Sequence, residues 1–487
     1  MTGSTIGVPR REHERRHRLA LTFCLLAVLC AAACGTGPEP DAPPVRPETG
    51  RPNIVVIQAD DLGYGDLGSY GQRRFETPNL DRLASEGTRF TQYYAGSTVC
   101  APSRYTLMTG LHTGHAAVRG NGEYPLRAED VTVAEVLKAA GYRTAVIGKW
   151  GLGLPGSTGL PHLQGFDYFF GYLDHRHAHR HYTNYLYRGE ERIDVDPSRY
   201  ASDLITEEAK TFIRGSRGRP FFLYLNYPLP HAELLVPEDS IAPFRGRFDE
   251  TPFVNAKADA NPFPEPGPSG GYRSQPTPRA AFAGMVTRLD RYVGELVSLL
   301  DAEGLRESTL VLFTSDNGPH AEGGADPKFF GSAGLLRGMK RDLYEGGIRV
   351  PMIARWPGTV PSGRVSDHPW AAWDLLPTLA EIASARAPEG IDGMSMLRAL
   401  RGEPQPTHDF FYWEFHERGF DQAVRHGNWK AVRRGADARL ELYDLASDPG
   451  ERHDVAAAHP DVIARIERYL ATARIESELW PVKRSTR

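Results

Sequence analysis

Cysteine is almost absent from this chain, and what little there is lies in the wrong places for a disulfide framework. Three of the four, Cys24, Cys30 and Cys34, sit in the first 34 residues, so Cys100 is the single cysteine of the body and has no partner within its own domain. Charge of one sign is also missing. The formal net charge is −4 over 487 residues, which argues against a nucleic-acid binder. The longest apolar run, Leu19 to Ala33, is too short to span a bilayer comfortably. No internal repeat is present. What remains is the composition of an ordinary globular protein, 40% hydrophobic and 24% charged, long enough for one large α/β domain and a smaller one.

The N-terminus reads as an export signal. Residues 10–18 are basic, an apolar run follows, and Ala31, Ala32 and Ala33 precede Cys34. Small residues before a cysteine suggest a lipoprotein signal with lipid attached at Cys34; cleavage by an ordinary signal peptidase is the alternative. Residues 35–50 contain Pro38, Pro40, Pro43, Pro44 and Pro47, a composition that predicts an extended, semi-rigid tether. The basic leader carries an excess of three positive charges, so the remainder is near −7. The expected location is the cell envelope, with membrane contact only through a lipid at Cys34, or otherwise periplasmic or secreted.

Short apolar, β-branched runs predict buried strands at Pro52–Ala59, Arg143–Ile147, Pro220–Tyr227, Thr309–Thr314 and Val350–Trp356. Helices are expected from Thr77, over Val131–Ala140 and over Ala280–Glu303, where Met285, Leu289, Val293 and Leu296 form one stripe. Residues 237–279 are Pro-rich and read as a long surface loop. A change of character near residue 401 divides a catalytic domain, 51–400, from a C-terminal subdomain, 401–487, with four short strand-like runs and a closing helix.

Chemistry-bearing residues fall just past several of these strands, where ligands of open α/β sheets bind. Asp60 and Asp61 follow the first strand; adjacent carboxylates there repel each other unless a cation offsets them, the alternative being an acidic turn. Lys149 ends the second strand, His231 follows the third, and Asp316 with Asn317 follows the fourth. Of these, Asp60, Asp61, Asp316 and Asn317 offer oxygen donors, and an all-oxygen set suits a hard cation, Ca²⁺ before Mg²⁺. Cys100 stands at or just before a helix start, since Pro102 suits a first turn. Free N–H groups favour an anion there; a lone buried cysteine acting as a small hydrophobe is the alternative. His175, His177, His179 and His181 alternate, which would put them on one side of a strand. They could form a transition-metal site, a substrate loop or a source of proton transfer.

Cys100, Pro102, Ser103 and Arg104, followed by Leu107 to Gly110, resemble the sulfatase signature Cys-x-Pro-Ser-Arg. Asp60 to Gly68, Ser315 to Gly318, Leu336 to Lys340 and Tyr344 to Pro351 resemble further segments of that family, and the similarity runs from Arg51 to about Arg474. It implies an alkaline-phosphatase-like α/β fold, a large mixed sheet flanked by helices, with a small C-terminal antiparallel sheet and helix. It also implies oxidation of Cys100 to formylglycine by a formylglycine-generating enzyme before folding, a hydrated aldehyde whose hydroxyl attacks sulfur, and a divalent cation on Asp60, Asp61, Asp316, Asn317 and residue 100. Arg104, Lys149 and Lys340 would offset charge on a sulfate monoester, and His231 would protonate the leaving alcohol. One departure stands out. The family's Gly-Lys-Trp-His-Leu-Gly reads here with Gly151 in place of the histidine that contacts the formylglycine hydroxyl, and His177 and His179 are candidates to replace it. The resemblance implies hydrolysis of a sulfate monoester, and with the export signal the expectation is an exported sulfatase acting on a sulfated carbohydrate or aryl sulfate. A phosphonate monoester or phosphodiester hydrolase of the same superfamily, a non-catalytic sulfated-glycan binder and a structural envelope lipoprotein are the alternatives.

Overall fold

Eleven strands build the main sheet of the computed structural model, which describes residues 1–3, 50–263 and 271–482. The leader and tether expected before residue 50 lie outside the described residues. Residues 50–263 and 271–482 belong to one compact unit. Among the described residues no helix is long and apolar enough to cross a membrane.

The strands are β1 (Asn53–Asp60), β2 (Thr88–Tyr94), β3 (Arg143–Lys149), β4 (Tyr168–Tyr172), β5 (Tyr185–Arg188), β6 (Glu191–Asp194), β7 (Phe221–Pro230), β8 (Thr309–Ser315), β9 (Arg349–Arg355), β10 (Arg364–Ser366) and β11 (Trp370–Ala371). Their order is β10-β2-β9-β8-β1-β7-β3-β4-β5-β6, with β11 beside β2. The centre, β8-β1-β7-β3-β4, is parallel. β9 runs antiparallel to β8 and β2. Central parallel strands are covered on both faces, and β1, β7 and β8 are buried at every residue.

Alternate side chains of β1 enter two cores. Val55 and Ile57 pack with α1 (Pro78–Ser85), α4 (Ala201–Arg214) and α5 (Pro278–Ala302); Ile54 and Val56 pack with α2 (Cys100–Thr109), α3 (Val133–Ala139) and α6 (Leu375–Ile382). α3 starts where Thr132 and Glu135 form a capping box. The expected 237–279 loop is interrupted by short helical turns at Glu238–Ile241 and Ala256–Asp259.

The C-terminal part is a four-stranded antiparallel sheet, β12 (Phe411–Phe415), β13 (Asp421–His426), β14 (Trp429–Arg434) and β15 (Glu441–Asp444), with α7 (Pro460–Leu470) against it. Its other face, through Trp413, Phe415, Val432 and Tyr443, packs on Tyr94, Val99 and Ile348, and Trp413 Nε1 donates to the Ala95 carbonyl at 2.9 Å. The small sheet therefore braces the segment that leads into Cys100. Lys430, fully buried on β14, joins Glu345 at 3.0 Å and Glu451 at 3.4 Å. Burial pushes the Glu451 carboxyl up to about 7, and Glu345 beside it adds to the rise. Replacing Lys430 by Met leaves two buried carboxylates facing each other. The expected cost is about 3–5 kcal/mol, read as a lowered unfolding midpoint; an unchanged midpoint would remove this lysine from the bracing of the site.

Candidate active site

Four neighbouring strands of the main sheet, β8, β1, β7 and β3, end side by side. Asp316 and Asn317 follow β8, Asp60 closes β1 and Asp61 follows it, His231 follows β7, and Lys149 closes β3. The loop after β8 brings in Lys340, and the segment after β2, which runs in the same direction as β8 on the far side of β9, brings in Cys100. Residues separated by up to 280 positions in the chain thus meet at one sheet edge because their strands are parallel and adjacent.

Cys100 is the first residue of α2, and all ten residues of that helix are buried. Its Sγ lies 3.6 Å from Asp60 Oδ1. Burial pushes the thiol up to about 12, against the pull of Lys149 and Lys340. Lys149 Nζ donates to Asp60 Oδ2 at 2.6 Å, and Lys340 Nζ donates to Asp61 Oδ2 at 2.7 Å. Burial alone would raise the Asp60 carboxyl, but Lys149 and the other nearby positive groups hold it well below the usual carboxylate range. Arg104 spends its guanidinium on Asp316 Oδ2, at 3.1 and 2.8 Å, and on the Lys149 carbonyl at 2.9 Å. These bonds fix Asp316 and the end of β3.

Three carboxylates, Asp60, Asp61 and Asp316, are therefore matched by Lys149, Lys340 and Arg104. The donor set fits a divalent cation. Asn317 Oδ1 is buried without any hydrogen-bond partner, while Asn317 Nδ2 donates to Asp61 Oδ1 at 2.7 Å, so its oxygen is left for something else. Burial first, and then the nearby Asp60, push Asp316 up to about 7 against the pull of Arg104. Asp60, Asp61, Cys100 and His231 present atoms within 4.8 Å of one another. A dication added to a neutral set of three acids and three bases leaves the site at +2, a receptor for an oxyanion.

His231 is fixed in one tautomer. Its Nδ1 donates to the Ala232 carbonyl at 2.5 Å, so Nε2 carries the lone pair and accepts from Lys340 Nζ at 2.9 Å. Burial and Lys340 hold the imidazole down to about 3. In this arrangement the proton belongs to the Lys340–His231 pair and rests on the lysine.

The four alternating histidines do not lie on a strand. They form a turn, with a short 3₁₀ helix over His177–His179, and Tyr172 OH ties the turn down by donating to the Arg180 carbonyl at 2.7 Å. The turn sends the histidines in different directions. His177 stacks on Tyr185 and bonds Thr183 at 2.8 Å, away from Cys100. His179 stacks face to face on His231, centroids 3.8 Å apart, and its Nε2 is buried with no partner. His181 Nε2 bonds the His231 carbonyl at 3.0 Å. His175 occupies the ground beside Gly151: a Cβ added there would sit 3.3 Å from the His175 Cβ, at a φ of +78°. Gly151→His is thus expected to cost roughly 2 kcal/mol or more through strain and crowding and to bring no gain in turnover. Thermal unfolding and a sulfate-ester assay check both; a gain in turnover would show the position to be merely vacant.

Three residues join the site that motif reading passes over. Glu322 lies 3.8 Å from His231 Nε2 and pairs with Arg341 at 2.5 Å. Although burial would raise it, Lys340 and His231 keep its carboxyl far below the usual range. Tyr272 donates to Glu322. His320 stacks 5.3 Å from His231. Its position three residues past Asn317 is the one signal that could have found it. A second convergence, His112, His115 and Asp392, is self-satisfied. The Gly114 N–H donates to His112 Nδ1 at 3.1 Å, which leaves His112 Nε2 as the N–H facing Asp392.

This geometry has known counterparts. Residues 52–385 match the family model described as Sulfatase, and residues 338–476 match that of the N-sulphoglucosamine sulphohydrolase C-terminal region. The chain is 29% identical to an N-acetylgalactosamine-6-O-sulfatase of Bacteroides thetaiotaomicron over 87% of its own length and 93% of the relative's. It is 35% identical to human arylsulfatase A over 86% of each. Its fold is similar to the crystal structure of Ps i-CgsB in complex with k-i-k-neocarrahexaose, with a TM-score of 0.75 and 28% identity over 89% of this chain and 95% of that one. Together with the strand-end constellation around Cys100, these matches establish that the chain belongs to the sulfatase family, the sulfuric ester hydrolases of the alkaline-phosphatase-like superfamily.

Proposed function

We propose that this protein is an exported sulfatase that hydrolyses a sulfate monoester of a carbohydrate, after Cys100 has been converted to formylglycine by a separate generating enzyme. The observation that carries the reading is Cys100 itself. A thiol pushed up to about 12 by burial is protonated and a poor nucleophile, yet it lies 3.6 Å from Asp60 and feels the charges of Lys149, Lys340 and Asp316. Conversion resolves the contradiction. Hydrated formylglycine would supply a hydroxyl nucleophile, and Ca²⁺, or Mg²⁺, on Asp60, Asp61, Asp316 and Asn317 would supply Lewis acidity.

The chain's own residues do the rest. Lys149 and Lys340 hold the non-bridging oxygens of the sulfate and offset the charge that grows on them. Arg104 keeps Asp316 and the Lys149 backbone in place. The Lys340–His231 pair holds one proton beside the leaving oxygen and passes it through Nε2. His179, stacked on His231 with an open Nε2, takes the proton whose removal the final release of sulfate requires, in place of the histidine that Gly151 lacks. His177, turned toward Thr183 and Tyr185, has no part in this.

The GalNAc-6-O-sulfatase and the k-i-k-neocarrahexaose complex among its relatives support a sulfated sugar as substrate. The basic leader and Ala31–Cys34 support export, with an envelope anchor at Cys34. The catalytic part is assigned to 51–400 and a C-terminal subdomain to 401–487. The test is the mass of the tryptic peptide Phe90–Arg104 from protein co-expressed with a formylglycine-generating enzyme, alongside turnover of aryl sulfate, phosphate and phosphonate esters. The reading expects formylglycine at residue 100 and a preference for sulfate. Faster phosphonate turnover, or an unmodified cysteine with no turnover, overturns it.

A further inference from the structure

Beyond the catalytic edge, one cavity of about 640 Å³ is lined by Arg73, Arg74, Lys328 and Arg349 together with Tyr64 and Phe329, and by no acidic residue. In a chain of net charge −4 a cavity whose charged lining is cationic throughout stands apart from other cavities, whose linings include Glu86, Glu123, Asp367 or Glu135. Arg349 is committed to Glu345 and the Thr91 carbonyl. The other three are not; the one bond from the Arg73 guanidinium is a long one, 3.4 Å, to the neighbouring Gln72 carbonyl. Among the described residues neither Arg73, Arg74 nor Lys328 enters an ion pair, and the Arg74 guanidinium makes no hydrogen bond. It lies 3.9 Å over the ring of Phe329 instead, which holds its planar fork in place without consuming its donors. Exposed Leu335 completes an amphipathic wall.

Free guanidinium and ammonium groups, fixed by an aromatic ring beside apolar surface, are what a compact anionic sugar needs: forks for the sulfate oxygens and an apolar wall for the ring faces. The cavity is tied to the catalytic edge through the chain. Tyr64 lies three residues past Asp61, and Leu336, also in its wall, lies four before Lys340. We infer that this cavity is a second binding site for a sulfated saccharide, separate from the catalytic pocket, that retains a polysulfated chain while one ester is cleaved. The inference rests on the sulfated-carbohydrate reading above.

The test is calorimetric titration of the full chain with sucrose octasulfate, and with sucrose as the uncharged control, for wild type and for Arg74→Ala/Lys328→Ala. In parallel, kcat/KM is measured on a small aryl sulfate that reaches only the catalytic pocket. The expected result is a loss of affinity of about tenfold, the size of two exposed ionic contacts, a shallower salt dependence, restoration by Arg74→Lys/Lys328→Arg, and unchanged aryl-sulfate turnover. Equal affinity in wild type and variant overturns the inference. Equally tight binding of an unsulfated polyanion, such as polyphosphate, overturns the commitment to a sugar. Absent aryl-sulfate turnover in both proteins, with octasulfate binding still weakened by the variant, would sink the catalytic reading and leave the cavity standing.

Discussion

Cys100→Ala is expected to abolish sulfate-ester hydrolysis while leaving the protein folded. The loss should be on the order of 10⁶ in kcat, the scale seen when a covalent nucleophile is removed. The residue contributes little packing. It is small and its one polar contact is the 3.6 Å approach to Asp60, so the stability change should stay within about 1 kcal/mol. The ion pairs around it, Lys149 with Asp60 and Lys340 with Asp61, remain. The measurement is aryl-sulfate turnover beside a melting curve for both proteins. Retained activity in the alanine variant would show that the nucleophile is another group and would detach the whole constellation from its proposed chemistry. Lost activity with an unchanged melt would tie the reaction to one side chain.

The strand-end residues were legible in sequence because the physics that places them is local. A short β-branched run makes a parallel strand, and its carboxyl end is where a functional side chain emerges; Asp60, Lys149 and Asp316 follow that rule. Cys100 was legible for a related reason, since Pro102 marks a helix start. The histidine turn was not. Its alternation imitates a strand, but a strand of four histidines has no apolar face to bury, and the chain closes on itself through Tyr172 and the Arg180 carbonyl instead. Glu322, Tyr272 and His320 were hidden because no periodicity brings them in. They arrive with loops whose course depends on the packing of other elements. The hydrogen bonds of Arg104 also needed the structure: a guanidinium four residues past Cys100 reads as an anion contact, and its three bonds to Asp316 and Lys149 come from elements that no motif spacing links. Gly151 was visible as a departure, but what favours glycine there is a φ of +78° and the approach of His175, 24 positions away.

Removal of the His231 imidazole should matter in proportion to how badly the leaving group needs a proton. His231→Ala is expected to lower kcat/KM by roughly 10²–10⁴ for a sugar sulfate, whose alkoxide leaves poorly, the range of general acid–base catalysis. For an aryl sulfate with an acidic phenol the loss should be much smaller. The argument comes from the tautomer. Nδ1–H is held by the Ala232 carbonyl, so Nε2 faces the site and already accepts from Lys340. Burial and Lys340 hold the ring down to about 3, so the imidazole does not store the proton; it relays one that Lys340 carries. Loss of the relay affects the step in which the ester oxygen takes up charge and leaves anion binding, which Lys149 supports, in place. Lys340→Met should show the same leaving-group dependence and in addition a raised KM, since that ammonium also holds the anion. Equal losses for alkyl and aryl sulfates in the His231 variant would remove the proton-transfer role and reduce the residue to a wall of the anion pocket, with His179 behind it left to explain the chemistry alone.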